Sequence, residues 1–387
     1  MNKPKLVRVT TVPISLDKLL HGQLRFMNAY YEVIALSSDK EYLSRVGDRE
    51  GVRTFPLEMS RKITPIADLL AIIKLFFFLR KEKPLIVHSH TPKAGLVAMI
   101  AANLARVPIR LHTVAGLPLM ETTGIKRVIL NLVEKLTYAC ATKIYPNSNG
   151  LKEIIVEEKF CASSKLKVLG NGSSNGIDIG YFDPVLFTES QNLDLRLSLN
   201  IGTSDFVFIF VGRLVSDKGI NEMVAAFASH QILHPQSKLL LVGDYEADLD
   251  PLTPITLEAI QNNSAILTKG FQADVRPYFA LANALIFPSY REGFPNVVMQ
   301  AGAMGLPCIV TNINGCNEII NEGINGVIVS VKNTAGLLLS MNEFVENSQL
   351  FYQLQTTSRS MIATRYNQQV IWEAIKNEYD QLKVTLY

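Results

Sequence analysis

Short apolar segments alternate with longer amphipathic segments throughout the first half of the chain. Strand-like segments occur at 6–9, 31–36, 85–88, 110–113 and 143–145, with helix-like segments at 66–80, 92–105 and 125–139. Parallel strands need a long crossover connection, usually a helix, whereas antiparallel strands can be joined by a two-residue turn. The alternation therefore predicts a parallel sheet covered by helices, which is an α/β fold.

The same rhythm begins again at residue 206. Strand-like segments follow at 206–211, 238–242, 265–268, 284–288, 307–310 and 326–329. The chain of 387 residues also exceeds the roughly 250–300 residues at which a single core stops growing. We therefore predict two doubly wound, Rossmann-like domains that face a cleft.

The domain boundaries follow from one loop-like segment and from the C-terminal periodicity. Residues 170–176 are too rich in glycine and asparagine for a helix, which indicates a hinge. The stretch 348–384 is helical in period and contains no strand-like run. We predict an N-terminal domain at 1–175, a C-terminal domain at 176–365 and a closing helix at 366–387.

Composition and charge exclude several classes of protein. The formal net charge of +3 is too small to indicate a nucleic-acid partner, which normally requires a clustered basic face. The N terminus lacks an export signal, and the longest apolar stretch, 66–79, is shorter than the ~20 residues of a spanning helix. The four cysteines form no C-x-x-C pair, which fits reduced thiols. We expect a cytoplasmic protein that does not cross the membrane.

Ligands of doubly wound sheets bind beyond the carboxyl ends of the strands. The residues that directly follow strands are therefore the first candidates for a binding site. Arg213 and Lys218 follow the strand at 206–211 and precede a helix. A guanidinium, an ammonium and the N–H groups of a helix start suit a diphosphate. A solvated turn with two surface cations is an equally good interpretation of these residues alone.

Glu292 follows the strand at 284–288 and precedes another helix. A carboxylate in this position can accept hydrogen bonds from sugar hydroxyls. An acidic residue that merely stabilises the helix start is the more common reason for such a glutamate.

Two longer motifs make the interpretation specific. The segments 212–219 (GRLVSDKG) and 292–310 (EGFPNVVMQAGAMGLPCIV) resemble the signature of retaining glycosyltransferase family 4, which has the B-type, two-domain fold. In the first half, 88–95 (HSHTPKAG), 112–118 (HTVAGLP) and 145–148 (YPNS) are similar to a bacterial capsule and O-antigen subgroup. The resemblance covers nearly the whole chain.

The resemblance implies roles for individual residues. Arg213 and Lys218 would hold the donor diphosphate, Glu292 the transferred sugar, and His112 would lie near that sugar. Gln300 stands where the family normally has a glutamate that holds the ribose, so the charge-assisted part of that hydrogen bond is lost. The remaining substrate-binding candidates are Gly293, Phe294, Pro295, Asn296, Phe271, Asn171 and Gly172.

Other histidines receive structural interpretations. His88 and His90 are expected to point to opposite faces of a strand, so that only one of them can serve a site. His230 and His234 have helical metal-ligand spacing, but Gln231 replaces the glutamate that a zinc protease requires. We expect these two to lie at the surface end of a helix, and we predict no metal site.

The combined hypothesis is a retaining transferase that moves a hexosyl or N-acetylhexosaminyl unit from a nucleoside-diphosphate sugar, expected to be UDP-linked. The implied acceptor is an undecaprenyl-diphosphate-linked or similar saccharide in bacterial surface polysaccharide assembly. No cofactor beyond the donor is expected. A nucleotide-sugar epimerase of the same architecture and a noncatalytic assembly scaffold remain as alternatives.

A lipid-linked acceptor implies a peripheral position on the cytoplasmic face of the inner membrane. The segment 61–83 carries cations at both ends of an apolar run and can lie in the membrane interface. A helix buried within the domain is the more common fate of such a run. A second basic amphipathic stretch, at 126–135, offers another membrane-binding surface.

Overall fold

The computed structural model describes residues 3–385 except 61, 118, 120, 121, 247 and 249. Arg61, the first residue of the basic segment 61–83, and Pro118, the last residue of the motif 112–118, therefore lie outside the described residues. The chain divides into two compact units. The first unit contains residues 1–176 and 368–387, and the second contains residues 177–367.

The first unit is built on a parallel six-stranded sheet in the order β3-β2-β1-β4-β5-β6. Its strands are β1 Lys5–Val9, β2 Glu32–Ser37, β3 Arg53–Pro56, β4 Ile86–His90, β5 Ile109–Val114 and β6 Lys143–Pro146. Its helices before residue 176 are α1 Pro13–Leu19, α2 Gln23–Asn28, α3 Lys40–Glu50, α4 Pro65–Glu82, α5 Pro92–Leu104, α6 Gly124–Cys140 and α7 Asn149–Glu157. Strand β3 was not predicted from the sequence because this edge strand has no continuous apolar run.

The second unit repeats this plan with the order β12-β11-β10-β7-β8-β9. Its strands are β7 Phe206–Val211, β8 Ser237–Val242, β9 Ile266–Thr268, β10 Ala284–Phe287, β11 Cys308–Thr311 and β12 Gly326–Val329. Its helices are α8 Glu189–Ser198, α9 Ile220–Leu233, α10 Pro254–Asn262, α11 Arg276–Leu281, α12 Asn296–Ala303, α13 Cys316–Ile319, α14 Thr334–Glu346 and α15 Ser348–Tyr366. The predicted pair of parallel-sheet α/β domains is confirmed.

The last helix, α16 Gln368–Val384, belongs to the first unit although it follows the second in sequence. Its side chains Ile371, Ile375 and Tyr379 are almost fully buried in a cluster with apolar residues of the first sheet and its neighbouring helices. This apolar stripe at helical spacing holds the C terminus on the first unit.

Both sheets reverse their strand order once, between β1 and β4 in the first unit and between β7 and β10 in the second. Open α/β sheets bind ligands at the carboxyl ends of the strands where the order reverses. No helix among the described residues is long and apolar enough to cross a membrane. All four cysteines are free thiols.

Candidate active site

The switch point of the second sheet brings together the two loops that carry the predicted donor residues. Strands β7 and β10 are parallel neighbours. Residues 213–218 follow β7, and residues 288–295 connect β10 to α12. The two motifs therefore start from adjacent strand ends, at the edge where a doubly wound sheet binds its ligand.

An ion pair joins the two loops. The Lys218 Nζ atom lies 2.5 Å from the Glu292 Oε1 atom, and the two side chains are 15% and 19% exposed. The buried hydroxyl of Ser289 donates a second hydrogen bond, of 3.1 Å, to the same carboxylate oxygen. These contacts hold Glu292 at the carboxyl end of β10.

Gly219 allows the two loops to approach each other. It directly precedes the first residue of α9 and has a φ of +69°, and a Cβ atom on it would lie 2.2 Å from the carbonyl oxygen of Pro288. Only glycine fits this combination of left-handed backbone and close contact. The backbone N–H of Tyr290 donates a hydrogen bond of 2.9 Å to the Asp217 carbonyl, so backbone contacts also fix the spacing between the loops.

The segment that leads into α12 exposes backbone donors. The side-chain amide of Asn314 donates to the carbonyl oxygens of Glu292 and Gly293, at 2.9 and 2.7 Å. The N–H groups of residues 292–294 have no acceptor among the described residues. The N–H of Asn296, in the first turn of α12, lacks an intrahelical acceptor. These groups offer an oxyanion several donors, together with the positive end of a helix dipole.

The side chains of Phe294 and Pro295 are buried. The Phe294 ring packs against Tyr366, with the ring centroids 5.5 Å apart, in the core of the second unit. Any contact of Phe294 with a substrate is therefore restricted to its backbone. Pro295 precedes the first residue of α12 and has no N–H to donate.

The Arg213 side chain does not join the Lys218–Glu292 pair. Its guanidinium binds the Glu246 carboxylate in the loop after β8, with NH1 and Oε2 2.6 Å apart. This hydrogen bond raises the pKa of Arg213 above its usual value. The arginine is 49% exposed. The structure thus brings Lys218 and Glu292 together, whereas Arg213 contacts a different carboxylate.

Gln300 and Phe271 occupy separate positions in the second unit. Gln300 is half-buried in α12, and its side-chain amide has no hydrogen-bond partner in the described part of the chain. Phe271 follows β9 and is 72% exposed, and its backbone N–H donates to the Asp244 carboxylate. Both side chains are available to a ligand.

His112 belongs to the first unit, near the end of β5. Its imidazole is 2% exposed, and its Nδ1 atom lies 2.9 Å from the Ser89 hydroxyl. Helix α5 covers it closely, since a Cβ atom on Gly95 would lie 2.5 Å from the ring. Burial lowers the pKa of His112 to about 4, so the ring is neutral at physiological pH. Its Nε2 atom has no hydrogen-bond partner among the described residues.

Asn171 and Gly172 lie in the loop that precedes the division between the units. Gly172 is buried and donates its N–H to the Leu169 carbonyl, and Asn171 is exposed. The next residue, Ser173, donates its N–H to the carbonyl of Asn147. The loop is thereby attached to the residue that follows β6, at the carboxyl edge of the first sheet.

Two predictions about histidines are wrong. The rings of His88 and His90 stack with centroids 4.3 Å apart, because residues two positions apart in a strand share a face. His230 is fully buried and hydrogen-bonded to Asn342 and Ser237, so it does not lie at a surface helix end. Within the described residues, no cluster of His, Cys, Asp and Glu side chains is arranged to hold a metal.

Sequence reasoning missed the two residues that support Glu292. Ser289 could have been found, because it directly follows β10 in the motif. Asn314 lies in the loop after β11, and nothing in the sequence indicates that its amide reaches the neighbouring strand connection.

Comparison with known proteins decides the family. The model of Glycosyl transferases group 1 matches residues 193–361, and that of the Glycosyl transferase 4-like domain matches residues 25–172. The capsular polysaccharide biosynthesis glycosyltransferase CapM of Staphylococcus aureus is 32% identical over 381 residues, which cover 98% of each chain. The chain belongs to the group 1 glycosyltransferases. The membership predicted from the motifs is confirmed.

Further similarities extend across most of this transferase. The UDP-Gal:alpha-D-GlcNAc-diphosphoundecaprenol alpha-1,3-galactosyltransferase of Escherichia coli is 29% identical over 342 residues, covering 87% of this chain and 85% of that one. The crystal structure of Anabaena Alr3699/HepE in complex with UDP matches with a TM-score of 0.81 at 17% identity, covering 98% and 100% of the two chains. The latter likeness shows a shared fold, and the predicted B-type architecture is confirmed.

Proposed function

We propose that this glycosyltransferase moves a hexosyl or N-acetylhexosaminyl unit, with retained anomeric configuration, from a UDP-sugar to an undecaprenyl-diphosphate-linked saccharide. The product would enter a bacterial surface polysaccharide. The observation that carries the proposal is the Lys218–Glu292 pair at the switch point of the second sheet, beside the amides of residues 292–294, which find no acceptor in the described part of the chain.

The donor site follows from the chemistry of these groups. An ammonium and several backbone N–H groups at a helix start suit the diphosphate. The carboxylate of Glu292 suits the hydroxyls of the sugar. The relative from E. coli is named for a UDP-galactose donor, which supports a uridine nucleotide here. We assign Gln300 to the ribose hydroxyls, as the family motif implies.

The same groups account for catalysis. When the bond between the anomeric carbon and the diphosphate breaks, negative charge builds on the leaving diphosphate. Fixed donors that are in place before the reaction stabilise such charge without reorganisation. We assign this role to Lys218 and the amides of 292–294, and Arg213 would join them once it exchanges Glu246 for a phosphate. Retention is inferred from the family resemblance.

We assign the donor to the second unit and the acceptor to the first. The E. coli relative is named for an acceptor that carries diphosphoundecaprenol. A lipid-linked acceptor of this kind requires the enzyme to work at a membrane surface, and free cysteine thiols fit its cytoplasmic face.

Two helices of the first unit support peripheral membrane binding. Large apolar side chains, each more than 40% exposed, occur on α4 and α6: Ile66, Leu69, Leu70, Ile73 and Phe77, and Ile125, Val128, Ile129, Leu132 and Leu136. Exposed apolar surface on this scale marks a site of protein or membrane contact. Cations lie at or near the ends of both helices, for example Lys62 before α4, Arg80 in the last turn of α4 and Lys126 in the first turn of α6, as expected for attraction to anionic lipids.

The proposal is tested by incubating the enzyme with a panel of nucleotide sugars and a synthetic lipid-linked saccharide. We expect one UDP-sugar to be consumed, with the sugar recovered on the acceptor as the α-anomer. Epimerised nucleotide sugar without an acceptor product would instead support the epimerase alternative. Donor binding without any turnover would support the scaffold.

A further inference from the structure

A cavity of about 410 Å³ lies in the first unit between α4, α5 and α6. Thr11 and Thr91, which follow β1 and β4, form part of its wall. The cavity therefore lies beyond the carboxyl ends of the strands at which the first sheet reverses its order. Its volume is in the range of small-ligand sites, which is about 300–1,000 Å³.

The wall of this cavity is mainly apolar. Side chains of Leu96 on α5 and of Ile129, Leu130 and Val133 on α6 line it. Lys93 and Asp68 in the wall form an ion pair in which each charge neutralises the other, and each side chain is 12% exposed. Both charges would therefore keep their partner when an apolar group fills the cavity.

The remaining charges orient an amphiphilic ligand. Glu134 lies in the cavity wall and is 6% exposed, so a phosphate inside the cavity would meet an acidic group. Lys62 also lines the cavity, but it is exposed and its ammonium has no partner among the described residues. An anionic group is therefore favoured at the exposed side, beside Lys62, with the apolar part of the ligand directed inward.

The cavity is continuous with the exposed apolar surface described above. Ile63 and Ile129 line the cavity and are also 57% and 43% exposed. Helices α4 and α6, which carry that surface, both pack on α5. A lipid chain that leaves the bilayer at this surface would therefore meet the cavity at the Ile129 side chain.

We propose that this cavity holds the isoprenoid chain of the lipid-linked acceptor, in the part next to its diphosphate, with the diphosphate at Lys62. The inference rests on the proposed function, since it assumes a lipid-linked acceptor. It adds that the first unit recognises the lipid itself and not only the saccharide.

The test uses acceptors that carry the same saccharide diphosphate on chains of one, two and three isoprene units. For the wild-type enzyme, we expect KM to fall by at least about tenfold for each unit that enters the cavity. Val133→Trp fills the cavity and should abolish this dependence on chain length, while the KM for the donor stays unchanged. Val156→Trp is the matched control, because Val156 on α7 is 42% exposed, does not line the cavity and is not part of the exposed apolar surface of α4 and α6.

A second measurement does not depend on turnover or on the folding of a variant. A farnesyl diphosphate analogue with a photoreactive group on its chain should label peptides containing Leu96 or residues 129–134 in the wild-type enzyme. Equal chain-length dependence in wild type and Val133→Trp, or labelling confined to other helices, would overturn the proposal. If no acceptor is glycosylated but these peptides are labelled, the proposed function fails and the lipid site stands.

Discussion

Lys218 and Glu292 form an ion pair across the ends of two neighbouring parallel strands, β7 and β10. The two residues have separate roles in the proposed donor complex, one on the diphosphate and one on the sugar. In the protein without donor, each neutralises the other. Binding of the diphosphate to Lys218 would release the carboxylate for the sugar hydroxyls, so both groups are already in position before the donor arrives.

Replacing Lys218 by alanine should therefore reduce donor turnover strongly. The variant removes a cation from the leaving group and leaves Glu292 without its counter-charge. Loss of one fixed donor to a developing oxyanion typically costs a factor of about 10²–10³ in kcat. Steady-state kinetics with the preferred UDP-sugar measure the effect.

Arg213→Ala, alone and combined with Lys218→Ala, tests whether the two cations bind the same diphosphate. If Arg213 joins Lys218 on the diphosphate, the double variant should lose less activity than the product of the two single losses. Lys238→Ala is the control, because Lys238 lies at the opposite, amino end of β8. Unchanged kinetics in both single variants would contradict the diphosphate assignment.

Gln300→Glu should tighten binding of the nucleotide. The Gln300 amide has no hydrogen-bond partner among the described residues, and a carboxylate forms stronger, charge-assisted hydrogen bonds to hydroxyls. A gain of about 1 kcal/mol corresponds to roughly a fivefold lower Kd for UDP. Calorimetry with UDP and with 2′,3′-dideoxy-UDP tests whether the gain depends on the ribose hydroxyls. If it does, Gln300→Glu should bind UDP more tightly than wild type does but should bind the dideoxy nucleotide with unchanged affinity. An equal gain with both nucleotides would place the ribose elsewhere.

The candidate donor residues could be identified from the sequence because they directly follow strands, and the ends of parallel strands meet at one edge of a sheet. Lys218 and Glu292 are 74 residues apart in sequence and form an ion pair. Side-chain direction was less predictable. The Phe294 ring turns into the core and Arg213 turns to Glu246, because both orientations depend on residues from other loops.

His112 should act as a neutral group. Burial holds its pKa at about 4, well below the range in which such enzymes are assayed. Its Nδ1 atom contacts Ser89, which leaves Nε2 for a ligand. We expect His112→Asn to lower kcat/KM about tenfold, the cost of one hydrogen bond to the substrate, without changing the shape of the pH profile between pH 6 and 9. A profile whose acidic limb disappears in the variant would instead identify His112 as a titrating group.

Glu134 should make the stability of the protein depend on pH. Burial raises its pKa from 4.5 to about 7, so the folded protein binds this proton more tightly than the unfolded chain does. Its contribution to stability is therefore complete below about pH 4.5 and is lost as the pH rises through 7. We compare the free energy of unfolding of Glu134→Gln with that of wild type. The variant's value minus the wild-type value should be up to roughly 3 kcal/mol larger at pH 8 than at pH 4.5.

Urea denaturation at several pH values measures this difference. Glu153→Gln is the control, since it makes the same substitution at an exposed position on α7. A constant difference between wild type and Glu134→Gln from pH 4.5 to pH 8 would show that the Glu134 carboxyl is not held in its neutral form.

Peripheral binding to membranes should depend on the cations around α4. Each cation near an anionic surface contributes about 1 kcal/mol, and this attraction falls with added salt. Reversing the charge of Lys62, Arg80 and Lys81 together should thus weaken binding to anionic vesicles by at least about a hundredfold. Flotation with anionic and neutral liposomes at low and high salt measures it. Reversal of Lys3, Lys40 and Arg45, which are exposed cations outside α4 and α6, controls for net charge. If the two triple variants float equally well, or if wild type stays with the soluble fraction at low salt, α4 is not a membrane-binding element.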